Sequence, residues 1–483
     1  MNDLANSALL IHHSFINGEP CSSTEHFDVF NPATNECIAT LSEVTDGQLE
    51  LAIQTAKSAQ QEWQQQDAHT RAKILHKWHD LIAKNSRELA LILTREQGKT
   101  LSDARGEILY GNSFIEWFAE EGKRVYGDVI QSPNNDKRML TIKQPVGVVA
   151  AITPWNFPSA MITRKAAAAF AAGCSFVVKP AAETPLSALA LAKLAIEAGM
   201  PKGLFNVVIG TDAPKIGRVL TSHPDIAKFT FTGSTQTGKI LTAQCATTVK
   251  RVSMELGGNA PFIVFDDADL DAAAKALFNA KFRNCGQTCI SPNRIYVHQN
   301  IQSAFVDKLV ALVQTLKQGN GEDKGNNLGC LIHPSAANKV HELVSTAINE
   351  GATIEFGSLS QQPDNSFYPP TILSNVSHGS AITEQEIFGP VLALISFDTD
   401  EQVINYANDT NFGLASYFYT QNIQRLFKIS EALEYGMVGA NDSMISNTVA
   451  PFGGIKQSGY GREGSKYGLE DYMAIKYICI GGQ

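Results

Sequence analysis

Residues 146–180 read VGVVAAITPWNFPSAMITRKAAAAFAAGCSFVVKP, and this run decides the fold. Residues 146–152 are apolar without the alternation that a half-exposed strand would show, so this strand is covered on both faces. A turn with two prolines follows, then a helix over residues 159–172, then a second apolar strand over 176–179. Strand, helix and strand in that order make a βαβ unit of a parallel sheet. Outward from it, a helix over 185–198 is stopped by Gly199 and Pro201, and strands over 205–209 and 228–232 continue the alternation.

Upstream, residues 15–42 read as short strands and turns, with Asn17-Gly18 as a hairpin signal. Asp46 opens a helix with Leu49, Ile53 and Ala56 at helical spacing. Further helices span residues 69–97, with a break near Asn85-Ser86, and residues 102–121. Strand-like runs at 125–130 and 138–143 flank the turn cluster Ser132-Pro133-Asn134-Asn135-Asp136 and form a hairpin. Downstream of Gly257-Gly258 a second α/β series begins: strands at 262–265 and 294–297, helices at 270–283 and 301–316, similar units through 391–397 and 415–420, and a tail strand at 472–480. The chain is therefore α/β, with two parallel-sheet domains and a small β element.

The bulk properties agree. A chain of 483 residues needs more than one core, and 44% hydrophobic with 18% charged residues belongs to a soluble globular protein. A net charge of −9 speaks against nucleic-acid binding. The start, MNDLANSALLIHH, has no basic region ahead of its short apolar run and is not a leader, and no segment is long enough to span a membrane. Eight scattered cysteines form no disulfide framework, so a cytoplasmic setting is expected. No metal site is expected; His76 and His79 flank Trp78 without a third ligand and read as helix-surface residues.

The chemistry concentrates in four stretches around one thiol. FRNCGQTCISPN (residues 282–293) carries Cys289 on a loop, with Gly286 expected to leave the approach open and Pro292 to block extension of an inner strand. TPWNFP (153–158) holds the amide of Asn156 on a proline-fixed turn, suited to a developing oxyanion. VSMELGG (252–258) ends an apolar strand in Glu255, an environment that raises a carboxylate pKa and suits a general base. KFTFTGSTQTGK (228–239) runs from strand to helix through Gly233-Ser234, where backbone N–H groups can meet a phosphate. It imitates a Walker A loop, but Ile240 stands where magnesium needs Ser or Thr, which counts against a nucleotide hydrolase. FVVKPAAETP (176–185) ends a strand at Lys179, and there is no GxGxxG.

These stretches, with EIFGP (386–390) and the PFGG and KQSG runs of residues 451–459, resemble the NAD(P)-dependent aldehyde dehydrogenase superfamily over essentially the whole chain. MITRKA around Arg164, KFRNCGQTC around Arg283 and GREGSKYGLEDYMAIKYICIGG are most similar to its succinate-semialdehyde dehydrogenase branch. The resemblance implies a Rossmann-like cofactor domain over residues 1–124 and 145–256, a catalytic domain over 257–457, and an oligomerisation hairpin and tail over 125–144 and 458–483. It implies that Cys289 attacks the aldehyde, that Asn156 and the Cys289 N–H hold the oxyanion, and that Glu255 activates water to hydrolyse the thioester left after hydride transfer. Cofactor contacts are implied for Trp155, Lys179, Pro180, Ala181, Ala182, Gly233, Ser234, Leu256, Glu386 and Phe388. Arg164, Arg283 and Ser446 are the implied holders of a distal substrate carboxylate. In NAD-preferring relatives a glutamate stands at the position of Ala182, so NADP is expected to be preferred, with NAD also used.

The expected partners are a small carboxylated aldehyde and further copies of the chain, as a homodimer or homotetramer, with no nucleic acid and no membrane. Glutarate semialdehyde, one methylene longer, stays open beside succinate semialdehyde. Several relatives of this branch carry a second cysteine two residues after the nucleophile; Ser291 stands there, so that redox switch is expected to be absent, and Cys285 reads as a buried small residue. A non-catalytic member of the same fold is the competing class, and the retained Cys289, Glu255 and Asn156 speak against it.

Overall fold

The computed structural model describes residues 7–359 and 362–482; the first six residues of the N-terminal run read above lie outside these. Two mixed sheets dominate. The first has eight strands in the order Gly459–Tyr460, Arg251–Glu255, Ile226–Thr232, Val148–Ile152, Ser175–Lys179, Phe205–Val207, Ser14–Ile16, Glu19–Cys21. Its five central strands are parallel, and the outer pairings are antiparallel. The second has seven strands, Thr353–Phe356, Thr371–Ser374, Val391–Phe397, Pro292–His298, Ala260–Val264, Ala415–Tyr419 and Met437–Ala440, parallel except for the first pair.

The βαβ run behaves as its composition demands. Val148–Ile152 and Ser175–Lys179 pair in parallel, and every residue of the intervening helix Ala160–Ala172 is buried. Alanines at successive positions let that helix pack on all sides, against helix Leu101–Glu121 and the sheet. In the first sheet, chain order runs outward in opposite directions from the junction between Val148–Ile152 and Ile226–Thr232. A crevice at the carboxyl ends of strands on either side of such a reversal is where open α/β sheets bind ligands. TPWNFP and Gly233-Ser234 both leave the sheet there.

Three expectations are corrected. Pro292 does not exclude an inner strand: it opens one, Pro292–His298, as its first residue, where the missing N–H is tolerated. The first arm of the hairpin shrinks to Val129–Ile130, while the second lengthens to Lys137–Pro145 and pairs along its whole length with the tail strand Met473–Gly481. Residues 458–472 are not part of that element: Gly459–Tyr460 joins the first sheet beside Arg251–Glu255, and Glu463 lies buried near Glu255. A helix over Ala213–Ser222 was not legible in the sequence reading. Among the described residues no helix is long and apolar enough to cross a membrane.

Candidate active site

Cys289 sits in the link between the helix Leu270–Phe282 and the strand Pro292–His298. The link begins with a tight turn in which Asn284 (φ 51°), Cys285 (φ 56°) and Gly286 (φ 78°) are all left-handed. Such conformations cost about 1–3 kcal/mol for non-glycine residues and persist where surroundings over-determine them. Here they do. Asn284 donates from Nδ2 to the carbonyls of Asn156 (2.9 Å) and Gln287 (3.2 Å), and its N–H reaches Asp103 at 3.3 Å. Gln287 donates to the carbonyls of Asn284 and Cys330 and accepts from the Ile332 N–H at 2.9 Å. Gly286 does not clear an approach to the thiol, as expected from sequence: a Cβ there would strike the Gly389 carbonyl, and one at Gly258 would strike the Cys289 carbonyl.

Cys289 is half-buried and free. Burial pushes its thiol up to about 12, with Arg164 pulling the other way, Glu386 and Glu255 adding to the rise and Arg283 opposing it. These five groups therefore share one electrostatic neighbourhood. Cys285 is buried, and desolvation holds its thiol well above the ordinary range, with Cys330 adding to the effect, as an inert core cysteine requires.

Asn156 comes from the loop after Val148–Ile152. Its Nδ2 donates to the Gln287 carbonyl at 3.0 Å, which leaves one amide hydrogen unassigned, and its Oδ1 is buried without a partner. The orientation is fixed, because exchanging the two atoms would set oxygen against oxygen. Glu255 closes the strand Arg251–Glu255, is 3% exposed, and has no hydrogen-bond partner on either oxygen among the described residues. Burial raises its pKa well above the carboxylate range, and Glu463 adds to the rise.

The sequence reading missed Glu463. It is buried and ion-paired with both Arg164 and Lys165. Against burial, Arg164 and Lys165 hold its carboxyl below the usual range. Its only signal was an acid inside an otherwise glycine-rich run. Arg164 is correspondingly not a free cation: it is 1% exposed, charge-paired with Glu463, and stacked over the Phe452 ring at 4.3 Å. Arg283 differs. It is half-buried, has no ion pair among the described residues, and lies over the Phe157 ring at 5.1 Å. Phe157 clusters with Tyr110, Ala160 and Met161, and the Tyr110 hydroxyl shares a 2.5 Å hydrogen bond with Ser446. Arg283, Phe157, Tyr110 and Ser446 thus form one continuous wall.

The expected cofactor residues lie at or just past strand ends, except Glu386 and Phe388, which sit in the segment before the strand Val391–Phe397. Lys179 is 3% exposed, and among the described residues its ammonium donates only to the neighbouring Pro180 carbonyl at 3.0 Å, so two donors remain. Ala181 and Ala182 follow on the same turn, and exposed Glu183 is close enough to act on the Lys179 charge. Ser234 caps the helix Thr235–Cys245 after Gly233, and Leu256 packs beneath it against Gly238. Glu386 accepts the Gly258 N–H at 3.4 Å, and burial lifts it to about 7. Trp155 and Phe388 meet edge to face at 5.6 Å. Unused donors on Lys179, unused acceptors on Glu386 and a capped helix start fit a dinucleotide. Among the described residues no group of His, Cys, Asp and Glu is arranged to hold a metal; His76 pairs with Glu120 and His79 with Asp80.

The family model for the aldehyde dehydrogenase family matches residues 19–478. The chain belongs to this family. Three relatives show how the branch varies. A 3-sulfolactaldehyde dehydrogenase of Pseudomonas putida is 51% identical over 100% of this chain and 99% of its own. The NADP-dependent succinate-semialdehyde dehydrogenase of Escherichia coli is 51% identical over 99% of each. A glutarate-semialdehyde dehydrogenase of Pseudomonas aeruginosa is 53% identical over 94% of each. As an aldehyde dehydrogenase, the chain oxidises aldehydes with NAD(P).

Proposed function

We propose that this aldehyde dehydrogenase oxidises a short aldehyde bearing a distal anion, succinate semialdehyde foremost, through a thiohemiacetal and a thioester on Cys289. The observation that carries the reading is Arg283: a cation with no ion pair among the described residues, part-exposed, six residues before Cys289. A guanidinium fork suits a carboxylate, and holding that end of a short substrate limits where the other end can lie. Ser446 adds a hydroxyl on the same wall. Arg164, ion-paired with a Glu463 carboxylate that Lys165 shares, sets the field around Cys289 and Glu255 instead. The Asn156 amide and the Cys289 N–H stabilise the oxyanion, and Glu255 takes the proton of the water that hydrolyses the thioester. NAD(P), when bound, supplies the hydride acceptor that turns the thiohemiacetal into the thioester. Lys179, with Pro180, Ala181 and Ala182, is read as meeting the adenosine ribose, Gly233 and Ser234 the pyrophosphate, and Trp155, Leu256, Glu386 and Phe388 the nicotinamide end.

Arg283→Ala is expected to raise KM for succinate semialdehyde at least tenfold, as the loss of roughly 1.5–3 kcal/mol from a charged hydrogen bond requires, and to leave butanal oxidation nearly unchanged. Arg164→Ala is expected to slow both aldehydes alike. Equal losses on both aldehydes in Arg283→Ala would remove the substrate assignment. Glutarate semialdehyde is the second reading, because similarly close relatives bear both names; a chain-length series of ω-carboxy aldehydes separates them.

The preference for NADP rests on Ala182, which offers no carboxylate to repel a 2′-phosphate. A kcat/KM with NAD more than roughly tenfold above that with NADP, about 1.4 kcal/mol, would reverse it. A homodimer or homotetramer is inferred from unpaired strand edges: Val129 at one side of the three-stranded sheet is 92% exposed, and Ile475 and Tyr477 at the other are 71% and 53% exposed. Light scattering at micromolar concentration is expected to return a multiple of the 52.3 kDa chain mass. Eight free thiols suit a reducing cytoplasm.

A further inference from the structure

We propose that Lys99, with Glu107 as its counter-ion, is a positioning residue that holds the Asn156 carbonyl and so sets the Asn156 amide against the Cys289 loop. This rests on the reading of Asn156 as the oxyanion donor. Lys99 lies in the short link between helices Ser86–Gln97 and Leu101–Glu121, and Glu107 lies on the second of these. Both side chains are fully enclosed, with Nζ 2.6 Å from Oε2. Lys99 also donates to the Asn156 carbonyl at 2.8 Å and lies 4.1 Å from the centre of the Phe157 ring. The other oxygen of Glu107 accepts the N–H groups of Ser159 (2.9 Å) and Ala160 (3.2 Å). One ion pair therefore contacts residues 156, 157, 159 and 160 together.

Asn284 Nδ2 reaches the same Asn156 carbonyl at 2.9 Å. That oxygen is the pin between the ion pair and the left-handed turn that leads to Cys289. The Phe157 ring is shared too, since Arg283 lies over it. A buried ion pair is weak stabilisation compared with an apolar pair of equal size, so stability alone gives little reason for one here. Position gives a better one: oxyanion donors act only when aimed at the developing charge, and misplacement by about 1 Å can cost 10²-fold in rate.

The test compares the pre-steady-state NADPH burst in the full-length wild type, Asn156→Ala, Lys99→Met, Lys99→Arg and the double variant Lys99→Met/Glu107→Gln, which leaves no unpaired buried charge. Iodoacetamide alkylation of Cys289 and the NADP dissociation constant are measured in parallel. The expected result is a burst at least tenfold slower in Lys99→Met and in the double variant, several-fold recovery in Lys99→Arg, and alkylation, NADP binding and aldehyde KM within about threefold of wild type. A wild-type burst in the double variant overturns the proposal, because the loss in Lys99→Met would then come from the stranded Glu107 charge. Alkylation and NADP binding falling in step with the burst overturn it as well, as general unfolding. Should the double variant not fold, equal bursts in Lys99→Arg and Lys99→Met overturn it. A wild-type burst in Asn156→Ala removes the oxyanion reading itself, whereas a slow burst there beside a wild-type burst in Lys99→Met removes the role of Lys99 alone.

Discussion

Cys289→Ala is expected to abolish aldehyde oxidation, a fall on the order of 10⁴-fold or more, with NADP binding unchanged. Losing the nucleophile removes the covalent route entirely, and what survives in such variants comes from binding and oxyanion stabilisation. None of the other cysteines can substitute. Cys174, Cys245, Cys285 and Cys330 are buried, and Cys21, Cys37 and Cys479 lie on the edges of the fold, away from Glu255 and Asn156. The resting thiol of Cys289 is pushed up to about 12, chiefly by burial, so its thiolate is scarce at neutral pH. Alkylation by iodoacetamide should therefore be slow in the free enzyme and quicken as pH rises through the alkaline range. Turnover near the wild-type rate in Cys289→Ala would refute the covalent mechanism.

Glu255→Gln is expected to stop the reaction at the thioester. The burst of NADPH should survive while kcat falls by roughly 10² to 10⁴-fold, the usual contribution of a general base. Intact-mass spectrometry should then find the chain carrying one acyl group on Cys289. The pH profile gives a second readout. Burial, helped by the Glu463 charge, holds Glu255 protonated above the ordinary carboxylate range. Its basic form therefore grows in only as pH rises through that raised value, and deacylation-limited kcat should climb with it. In Glu255→Gln this climb should vanish. A variant that turns over slowly yet accumulates no acylated chain would show that Glu255 is not the deacylating base.

Much of this architecture was legible in the sequence because its signals are local. Apolar runs without alternation mark strands covered on both faces, and Gly98 (φ 89°) and Gly173 (φ 99°) end their helices in the left-handed conformation that glycine tolerates. The placement of Cys289, Asn156 and Glu255, each at a strand end or turn, was legible for the same reason. What escaped depends on pairing across the fold. Nothing within a few residues of Arg164 announces that Glu463, 299 positions later by difference of residue numbers, pairs with it. Lys99 lies 57 positions from the carbonyl it holds, and only the packing of helix Leu101–Glu121 on helix Ala160–Ala172 brings the two together. Pro292 misled because a proline is forbidden inside a strand ladder but acceptable at its first rung.

The two outer edges of the eight-stranded sheet come from opposite ends of the chain, Glu19–Cys21 on one side and Gly459–Tyr460 on the other. During synthesis the sheet can therefore gain most of its strands long before its last one exists. Until residues 459–460 leave the ribosome, the strand that ends in Glu255 has a bare backbone edge, and Glu463 is not yet there to balance Arg164 and Lys165. A nascent chain at that stage holds most of the eight-stranded sheet yet carries an open strand edge, the kind of surface on which unfinished proteins adhere to one another. Slow translation of the final segment should thus lower the yield of soluble protein more than an equal delay placed within the first hundred residues.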